Sequence, residues 1–236
     1  MGVPDFWPRA GALASVIDLA SGSCSGETWA VDSSVLMHAA IANPQNARLQ
    51  VFDGVLAPKR AVATFTRALS TLSQRGVTPI AVFDGAPRPG KAEEVRTRKA
   101  GRQAKRIVAQ QKLNQGCSDK EVSDAVKAAA HVTPELRYAC ICSARTLGVS
   151  VVVAPFEADG QLAQLYRSGR VRRVVTIDSD IGVLGCSVVR LDHEHPLSWM
   201  DDGLLTSYNF DVRVPRVPIP KRPPQLCLGW LMHACG

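Results

Sequence analysis

Six acidic residues of this chain stand at the ends of short apolar runs, where carboxylates could gather around one site. They are Asp32, Asp84, Glu157, Asp159, Asp178 and Asp180. Asp32 directly follows the run TWAV, and Asp178 begins the D-S-D that ends the run VVTI. In an open parallel sheet, ligands bind outside the carboxyl ends of the strands. The pattern therefore predicts that all six carboxylates surround one crevice.

A cluster of this many carboxylates needs counter-charges. Two carboxylates about 4 Å apart repel by about 4 kcal/mol at an effective dielectric of about 20. Six of them would raise their own pKa values unless cations neutralised them. Oxygen ligands without His or Cys select hard ions, Mg²⁺ or Mn²⁺, and a pair of such ions is typical of in-line displacement at a phosphodiester. The acids therefore predict a two-metal site for phosphodiester hydrolysis.

Each acid taken singly also has an ordinary structural interpretation. Asp32 could cap the helix that follows it, and Asp84-Gly85 is a common turn dipeptide. Glu157 and Asp159 could complement the dipole of a helix in its first turn. The occurrence of all six at strand ends is what favours the metal site.

Residues 88–112 are strongly basic, with nine Lys and Arg against Glu93 and Glu94. On a helix, four of these cations share one face. The four are Lys91, Arg98, Arg102 and Lys105. Glu94 precedes Arg98 by four residues and could pair with it, which would make this an ordinary solvated face. The seven cations between 96 and 112 have no acidic residue among them, which favours contact with phosphates.

Five short apolar runs have strand character and alternate with helix-like stretches that stop at glycines. The runs are 28–31, 78–83, 149–154, 171–177 and 187–191, and the helical stretches are 59–75, 134–147 and 158–168. Continuous apolar strands that alternate with helices indicate a parallel sheet covered on both faces. The sequence therefore predicts an α/β fold with a mainly parallel central sheet flanked by helices.

The composition limits the class of protein. With 46% apolar and 21% charged residues the chain is typical of globular proteins, and its net charge of +7 suits a polyanionic partner. No apolar run approaches the length that spans a bilayer and no secretory signal is visible, so we expect a soluble, intracellular protein without a membrane partner. The seven cysteines form no C-x-x-C pair, which predicts core thiols rather than a zinc site or disulfides.

Four stretches of the sequence resemble, in this order, the blocks of a known family. They are VDSSVLMHAA, PIAVFDGAPRPGKAEEVRTRK, VVAPFEADGQLAQL and TIDSDIGVLGC. Together they resemble the structure-specific 5′ nucleases of the flap endonuclease and xeroderma pigmentosum group G type. The E-A-D at 157–159 and His38 are similar to the exonuclease 1 branch, whereas flap endonucleases have E-A-E and a Tyr at these places.

The resemblance implies a PIN-like nuclease core that hydrolyses DNA from a 5′ end with two Mg²⁺ ions, for which Mn²⁺ can substitute. The six carboxylates match the metal ligands of the family. Lys91 and Arg98 match the basic pair on its helical arch that contacts the scissile phosphate, and Arg102 with Lys105 extends this DNA-binding face.

Two further residues and the biological setting follow from the same resemblance. His38 matches a residue that packs against the terminal nucleotide, and Gly2 matches one that lies close to DNA. The expected substrates are DNA 5′ ends, flaps or nicks. The family also implies a nuclear protein of DNA repair or replication.

The sequence departs from the family pattern at three places near the carboxylates. Ile177 replaces an acid, and Gly160 replaces an Ala at a cost of roughly 1 kcal/mol in helix propensity. Gly182 takes an apolar position of the family, which predicts looser packing behind Asp180.

The composition also suggests how the chain is divided. We expect a nuclease domain over 1–211, made of an N-terminal block (1–100), a basic arch with its helices (88–131) and an internal block (132–211). The proline-rich stretch 212–224 predicts an extended linker, because its prolines exclude a helix or a central strand. Residues 225–236 resemble the start of the family's helical DNA-binding region, here truncated, and the family's seventh carboxylate would lie beyond Gly236.

The sequence leaves three alternatives to an exonuclease 1-like enzyme. One is a flap endonuclease of the same family, and the second is a DNA-binding module without turnover. The third is an aspartate-nucleophile phosphatase, because an apolar strand followed by D-x-D occurs there as well. That class needs a Thr or Val at 182, and it leaves Asp32, Asp84 and Glu157 unexplained.

Overall fold

Seven strands form one mixed sheet in the computed structural model, which describes residues 5–210. They are β1 (Ala14–Asp18), β2 (Thr28–Asp32), β3 (Thr78–Phe83), β4 (Ser150–Val153), β5 (Arg173–Thr176), β6 (Val188–Arg190) and β7 (Leu204–Tyr208). Their order across the sheet is β1-β7-β6-β5-β2-β3-β4. The strands from β6 to β4 are parallel, whereas β7 is antiparallel to both of its neighbours. The predicted α/β fold with a mainly parallel sheet is confirmed.

Ten α-helices accompany the sheet within the described residues. They are α1 (Phe6–Arg9), α2 (Ser33–Ile41), α3 (Pro44–Val51), α4 (Lys59–Gln74), α5 (Ala92–Asn114), α6 (Asp119–Ala129), α7 (Pro134–Thr146), α8 (Ala158–Arg167), α9 (Ser179–Val183) and α10 (Trp199–Asp202). The helices predicted from glycine stops correspond to α4, α7 and α8, each within two residues of its expected end. At the first of these stops, Gly76 has a φ of 80°, a conformation that glycine adopts without strain.

Both faces of the sheet are buried, because neighbouring residues along a strand alternate between two apolar clusters. In β3, Ala81 and Phe83 join the cluster formed with α2, α4 and α7, whereas Ile80 and Val82 join the cluster formed with α8 and α9. The other parallel strands alternate in the same way, and in the edge strand β4 the partly buried Val151 and Val152 pack against one cluster each. A parallel sheet buried on both faces leaves its strand ends as the place where polar side chains can gather.

The basic stretch forms α5, a helix of 23 residues and so about 34 Å long. A turn at Gly116 and a capping box between Ser118 and Glu121 lead into α6. The buried contact of α5 with α6 and α3 is made through Ala109, which packs with Val122 and others. The remaining described side chains of α5 are exposed or half-buried, so most of its cations face solvent.

Several expectations of the sequence concern the chain outside the site. Gly2, the proline-rich stretch 212–224 and residues 225–236 lie outside the described residues.

All five cysteines between residues 5 and 210 are free thiols, and burial raises the pKa of Cys140 to about 12 and that of Cys186 to about 11. In the part of the chain that the structure describes, no helix combines the length and the hydropathy needed to cross a membrane.

Candidate active site

Asp32 is the last residue of β2, and its buried carboxylate accepts hydrogen bonds from α2 and from the end of β5. Its Oδ1 accepts a hydrogen bond from the Ser34 backbone N–H at 3.0 Å, which caps α2. Its Oδ2 accepts from the Thr176 hydroxyl at 2.9 Å, at the end of β5. The side chain is almost fully buried, and this burial raises its pKa to about 7, with added repulsion from Asp84 and Asp159. Asp32 therefore caps a helix, and its carboxylate is buried close to two other acids.

Asp84 follows β3 and joins it to α8. Its Oδ1 accepts from the Ala158 backbone N–H at 2.9 Å. The next residue, Gly85, donates to the Phe156 carbonyl at 2.6 Å. A Cβ at Gly85 would overlap the Ala154 carbonyl oxygen, so only glycine allows the two backbones to approach this closely. This contact brings Asp84 beside the acids that follow β4.

Glu157 and Asp159 stand at the start of α8 in opposite electrostatic settings. Glu157 accepts from the Lys91 ammonium and pairs with Arg88 at 3.1 Å. The hydrogen bond from Lys91 lowers the pKa of Glu157, and the nearby positive charges lower it further. Asp159 has a raised pKa, first because of burial and then because of negative charges that include Asp178 and Asp84.

Asp178 and Asp180 occupy the first turn of α9, directly after β5. Asp178 caps this helix, since its Oδ1 accepts from the Asp180 backbone N–H at 3.0 Å. The Asp178 N–H in turn donates to the Thr176 hydroxyl at 3.1 Å. Thr176 therefore bridges Asp32 and Asp178, two of the predicted metal ligands from neighbouring strands.

The acids meet at a cavity of about 1280 Å³, which Asp32, Asp84, Asp159 and Asp178 all line. Glu157 and Asp180 are not among the residues that line it, but their charges help to raise the pKa of Asp159. The four strands that deliver the acids, β4, β3, β2 and β5, are adjacent and parallel. Of the six predicted carboxylates, the structure thus brings four to the wall of one cavity, at the carboxyl ends of four adjacent strands.

The carboxylates suit a hard divalent cation by their chemistry. They supply oxygen donors alone, and the raised pKa values of Asp32 and Asp159 reflect burial and uncompensated negative charge that a cation would relieve. Within residues 5–210, no group of three or more acidic, His or Cys side chains is already arranged as the ligands of one ion. The donor set therefore fits a divalent ion by its chemistry.

The predicted basic residues divide into one at the crevice and three along α5. Lys91 contacts Glu157, whereas Arg98 pairs with Glu94 on the exposed surface, as the spacing of four suggested. Arg102 is half-buried, and Lys105 is exposed. Their roles toward a nucleic acid stay predictions.

His38 lies on α2 and lines the cavity. Desolvation by the surrounding protein lowers the pKa of His38, and the negative charge of Asp84 partly opposes this shift. Its side chain keeps an exposed surface toward the cavity, where a ligand could reach it.

The prediction of loose packing at Gly182 was wrong. The space that a side chain would take is filled by Phe6 and Phe210, whose rings lie 2.7 and 3.0 Å from the position of a Cβ at Gly182. Phe6 fills this space from 176 positions away in the chain, which no local pattern reveals.

Other residues of the site carried no signal in the sequence. Thr176 was hidden within an apolar run, although a hydroxyl just before D-S-D is a residue type that can orient carboxylates. The segment after β6 brings His193 and His195 to the wall of the same cavity. Asp192 orders this segment by accepting from the N–H groups of Glu194 and His195 at 2.9 and 2.6 Å.

Comparison with known proteins gives two family models that match the chain. The XPG N-terminal domain matches residues 1–105, and the XPG I-region matches residues 148–194. Together the two ranges cover more than half of the chain and include all six acids. They also include Lys91, Arg98 and His38.

Two curated relatives illustrate the similarity in sequence. Exonuclease 1 of Danio rerio is 41% identical over 116 residues, which are 49% of this chain and 14% of that protein. Exodeoxyribonuclease 1 of Schizosaccharomyces pombe is 31% identical over 165 residues, which are 70% of this chain and 28% of that protein. The chain therefore spans less than a third of the length of these relatives.

Solved structures share the fold. The catalytic core of Rad2 in complex with DNA substrate superposes with a TM-score of 0.57 at 22% identity, over 88% of this chain and 53% of that chain. Human GEN1 in complex with Holliday junction DNA gives a TM-score of 0.55 at 22% identity, over 88% of this chain and 44% of that chain. At this level of identity, the likeness concerns the architecture of the sheet and its helices.

Proposed function

Because this chain belongs to the XPG family, we propose that it is a divalent-metal-dependent nuclease that hydrolyses phosphodiesters near the 5′ ends of DNA. The observation that supports this most directly is the delivery of carboxylates by four adjacent parallel strands to one crevice. The names of the relatives, Exonuclease 1 and Exodeoxyribonuclease 1, support the exonuclease branch. The same family membership supports nuclear DNA as the substrate and disfavours the aspartate-nucleophile phosphatase.

The carboxylates would hold the ions. We assign Asp32, Asp84, Asp159 and Asp178 as ligands because they line the cavity, with Glu157 and Asp180 beside them. Two bound Mg²⁺ or Mn²⁺ ions would activate water and offset the charge on the scissile phosphate. The Thr176 hydroxyl would keep Asp32 and Asp178 oriented, since it hydrogen-bonds to both residues.

The cations near the crevice would bind the DNA backbone. Lys91 reaches Glu157 and so lies within one side chain of the acids, where its ammonium could also offset charge on a phosphate. Arg98 would need to leave Glu94, an exposed pair whose loss costs little. Arg102 and Lys105 would continue this contact along α5, while His38 would pack against the terminal nucleotide from α2.

The test is cleavage of a 3′-labelled duplex with a recessed 5′ end beside a 5′-flap substrate, both in Mg²⁺. We expect short products from the flap-free duplex, and none with Asp178→Asn. Asparagine keeps an oxygen that can cap α9, so this variant removes charge with little effect on the fold. Asp18→Asn is the matched control, because Asp18 caps a short helix on the edge strand in the same way and does not line the cavity.

The products decide between the branches of the family. Cutting of the flap alone would move the assignment to a flap endonuclease, a name also carried by a Dictyostelium discoideum relative that is 33% identical over 128 residues. Binding of 5′-ended duplexes without cutting, in Mg²⁺ and in Mn²⁺, would reject the nuclease and leave a DNA-binding module.

A further inference from the structure

The N-terminal helix α1 packs directly against α9, the helix that carries Asp178 and Asp180. The ring of Phe6 occupies the space beside Gly182, with its Cε1 and Cζ atoms 2.7 Å from where a Cβ would stand. The neighbouring residue Ile181 is fully buried in the cluster that includes Val174 and Leu162. The helix therefore packs on this cluster through Ile181 and on an aromatic ring at Gly182.

Phe6 is itself held in place by an aromatic cluster at the end of β7. Its ring lies 5.4 Å from that of Phe210 and 5.1 Å from that of Trp7, in an edge-to-face arrangement with the latter. The Trp7 ring centroid lies 4.7 Å from that of Tyr208, with the two rings tilted by 50°, and the Arg190 guanidinium lies 5.1 Å from the Trp7 ring centroid. These contacts give Phe6 little freedom to move away from Gly182.

α9 has too few residues to be stable by itself. It has five residues, whereas isolated helices shorter than roughly 12 residues are marginal in water. Its position must therefore come from packing, and the packing beside Gly182 is supplied by Phe6 at 2.7 Å and Phe210 at 3.0 Å from where a Cβ would stand. Since Asp178 caps this helix and Asp180 lies in its first turn, a shift of α9 moves both carboxylates.

We propose that Phe6 is a positioning residue for the site, which sets the place of α9 and through it the place of Asp178 and Asp180. Phe6 acts through Gly182 and touches neither substrate nor ion. The inference rests on the proposed function only in assigning these two acids to ion binding. The packing of Phe6 on α9 can be tested without cleavage.

The test is a double-mutant cycle of Phe6→Ala, Gly182→Leu and the two combined. Phe6→Ala leaves α9 unsupported, and Gly182→Leu drives a side chain into the Phe6 ring. In the combined variant the new leucine can enter the space that the ring has left. We expect each single variant to exchange the Leu184 amide faster, because its hydrogen bond to the Asp180 carbonyl depends on an ordered α9. The combined variant should recover protection.

The second readout is the Mg²⁺ concentration at which the melting temperature reaches half of its metal-induced rise. We expect roughly a tenfold increase of this midpoint in each single variant, the size typical of losing a residue that orients a ligand. Leu72→Ala is the control, since it removes a buried side chain of α4 in the cluster that does not include α9. It should lower the melting temperature and leave the Mg²⁺ midpoint unchanged.

Three results would overturn the proposal. They are a wild-type Mg²⁺ midpoint in Phe6→Ala, an effect of the combined variant equal to the sum of the single ones, and a midpoint shift in Leu72→Ala as large as that in Phe6→Ala. If Phe6→Ala does not fold, Phe6→Leu with Gly182→Ala gives the same comparison with smaller changes. A wild-type protein that cuts no DNA would reject the proposed function, while the amide exchange would still decide whether Phe6 positions α9.

Discussion

Lys91 donates a hydrogen bond to Glu157, which joins the residue before α5 to the residue that precedes α8. Both side chains are only partly buried, so the pair can separate and re-form at low cost. Lys91 therefore has two possible anionic partners at the crevice, the carboxylate and a phosphate of the proposed substrate.

Replacement of Lys91 by Met is expected to raise the pKa of Glu157 and to slow cleavage. The hydrogen bond from Lys91 is the largest cause of the low pKa of Glu157, and Arg88 contributes less. We expect cleavage to fall by roughly 100-fold, the size typical of losing one donor to a developing negative charge. NMR titration of the Glu157 carboxyl carbon and single-turnover cleavage would measure the two effects. An unchanged pKa in Lys91→Met, or an equal rise in Arg88→Met, would contradict this account.

Gly85→Ala is expected to disturb the site through the backbone. The new methyl group would overlap the Ala154 carbonyl oxygen, so the turn after β3 must move away from the segment after β4. Asp84 would then lose its hydrogen bond from the Ala158 N–H. We expect a loss of about 1–3 kcal/mol in the free energy of unfolding and a weaker response of the melting temperature to Mg²⁺. Urea unfolding with and without Mg²⁺ would show whether both effects occur.

Gly160→Ala is expected to stabilise the fold, whereas Gly85→Ala destabilises it. Gly160 lies inside α8, is exposed, and has no atom within 4 Å of where a Cβ would stand. The substitution should therefore raise the free energy of unfolding by up to about 1 kcal/mol. Urea unfolding beside Gly85→Ala gives a matched pair of glycine variants at the same crevice. A destabilised Gly160→Ala would mean that α8 needs flexibility at this position.

Asp32→Asn is expected to change how stability depends on pH in the absence of divalent ions. Asp32 has a folded-state pKa of about 7 against 3.8 for the free side chain, so the folded state keeps a proton that the unfolded state releases. This contribution to stability is complete below about pH 4 and is lost as the pH rises to about 7. A difference of about three pKa units corresponds to about 4 kcal/mol.

The measurement is urea unfolding in EDTA between pH 4 and pH 8. Wild type should lose stability over this range relative to Asp32→Asn, which cannot ionise. Asp18→Asn, the cap variant on the edge strand, should follow the wild-type profile. Parallel profiles for wild type and Asp32→Asn would show that burial does not hold the Asp32 proton.

The parts of the fold that were predictable are those whose signal is local. β2 to β6 appear in the sequence as continuous apolar runs, because a strand buried on both faces has no polar alternation. β1 was missed because Ile17 is its only buried residue, and β7 because the polar Ser207 is among its buried residues, so that it forms no continuous apolar run. These two strands are ordered by pairing with each other across nearly the whole chain, which a local pattern cannot report.

The same distinction applies to the site. The acids could be recognised because each follows a strand, and parallel strands end at the same edge of a sheet. The partners that orient them could not, since Thr176 and Asp32 are 144 positions apart and Phe6 meets Gly182 only through the fold. Four of the six acids that the sequence singled out line the cavity, and the structure was needed to show which contacts hold them there.

The order of the strands also determines when the crevice can form. β2, early in the chain, pairs on one side with β5, which comes only at residues 173–176. In the same way, β1 pairs with β7 at residues 204–208. Contacts that join such distant segments must wait for long loops to close, and this slows folding. During synthesis, Asp32 and Asp84 therefore emerge long before the strand that completes their surroundings. A nascent chain that stops before β5 has the first acids but no crevice, so the surroundings of these acids are complete only after β5 has been made.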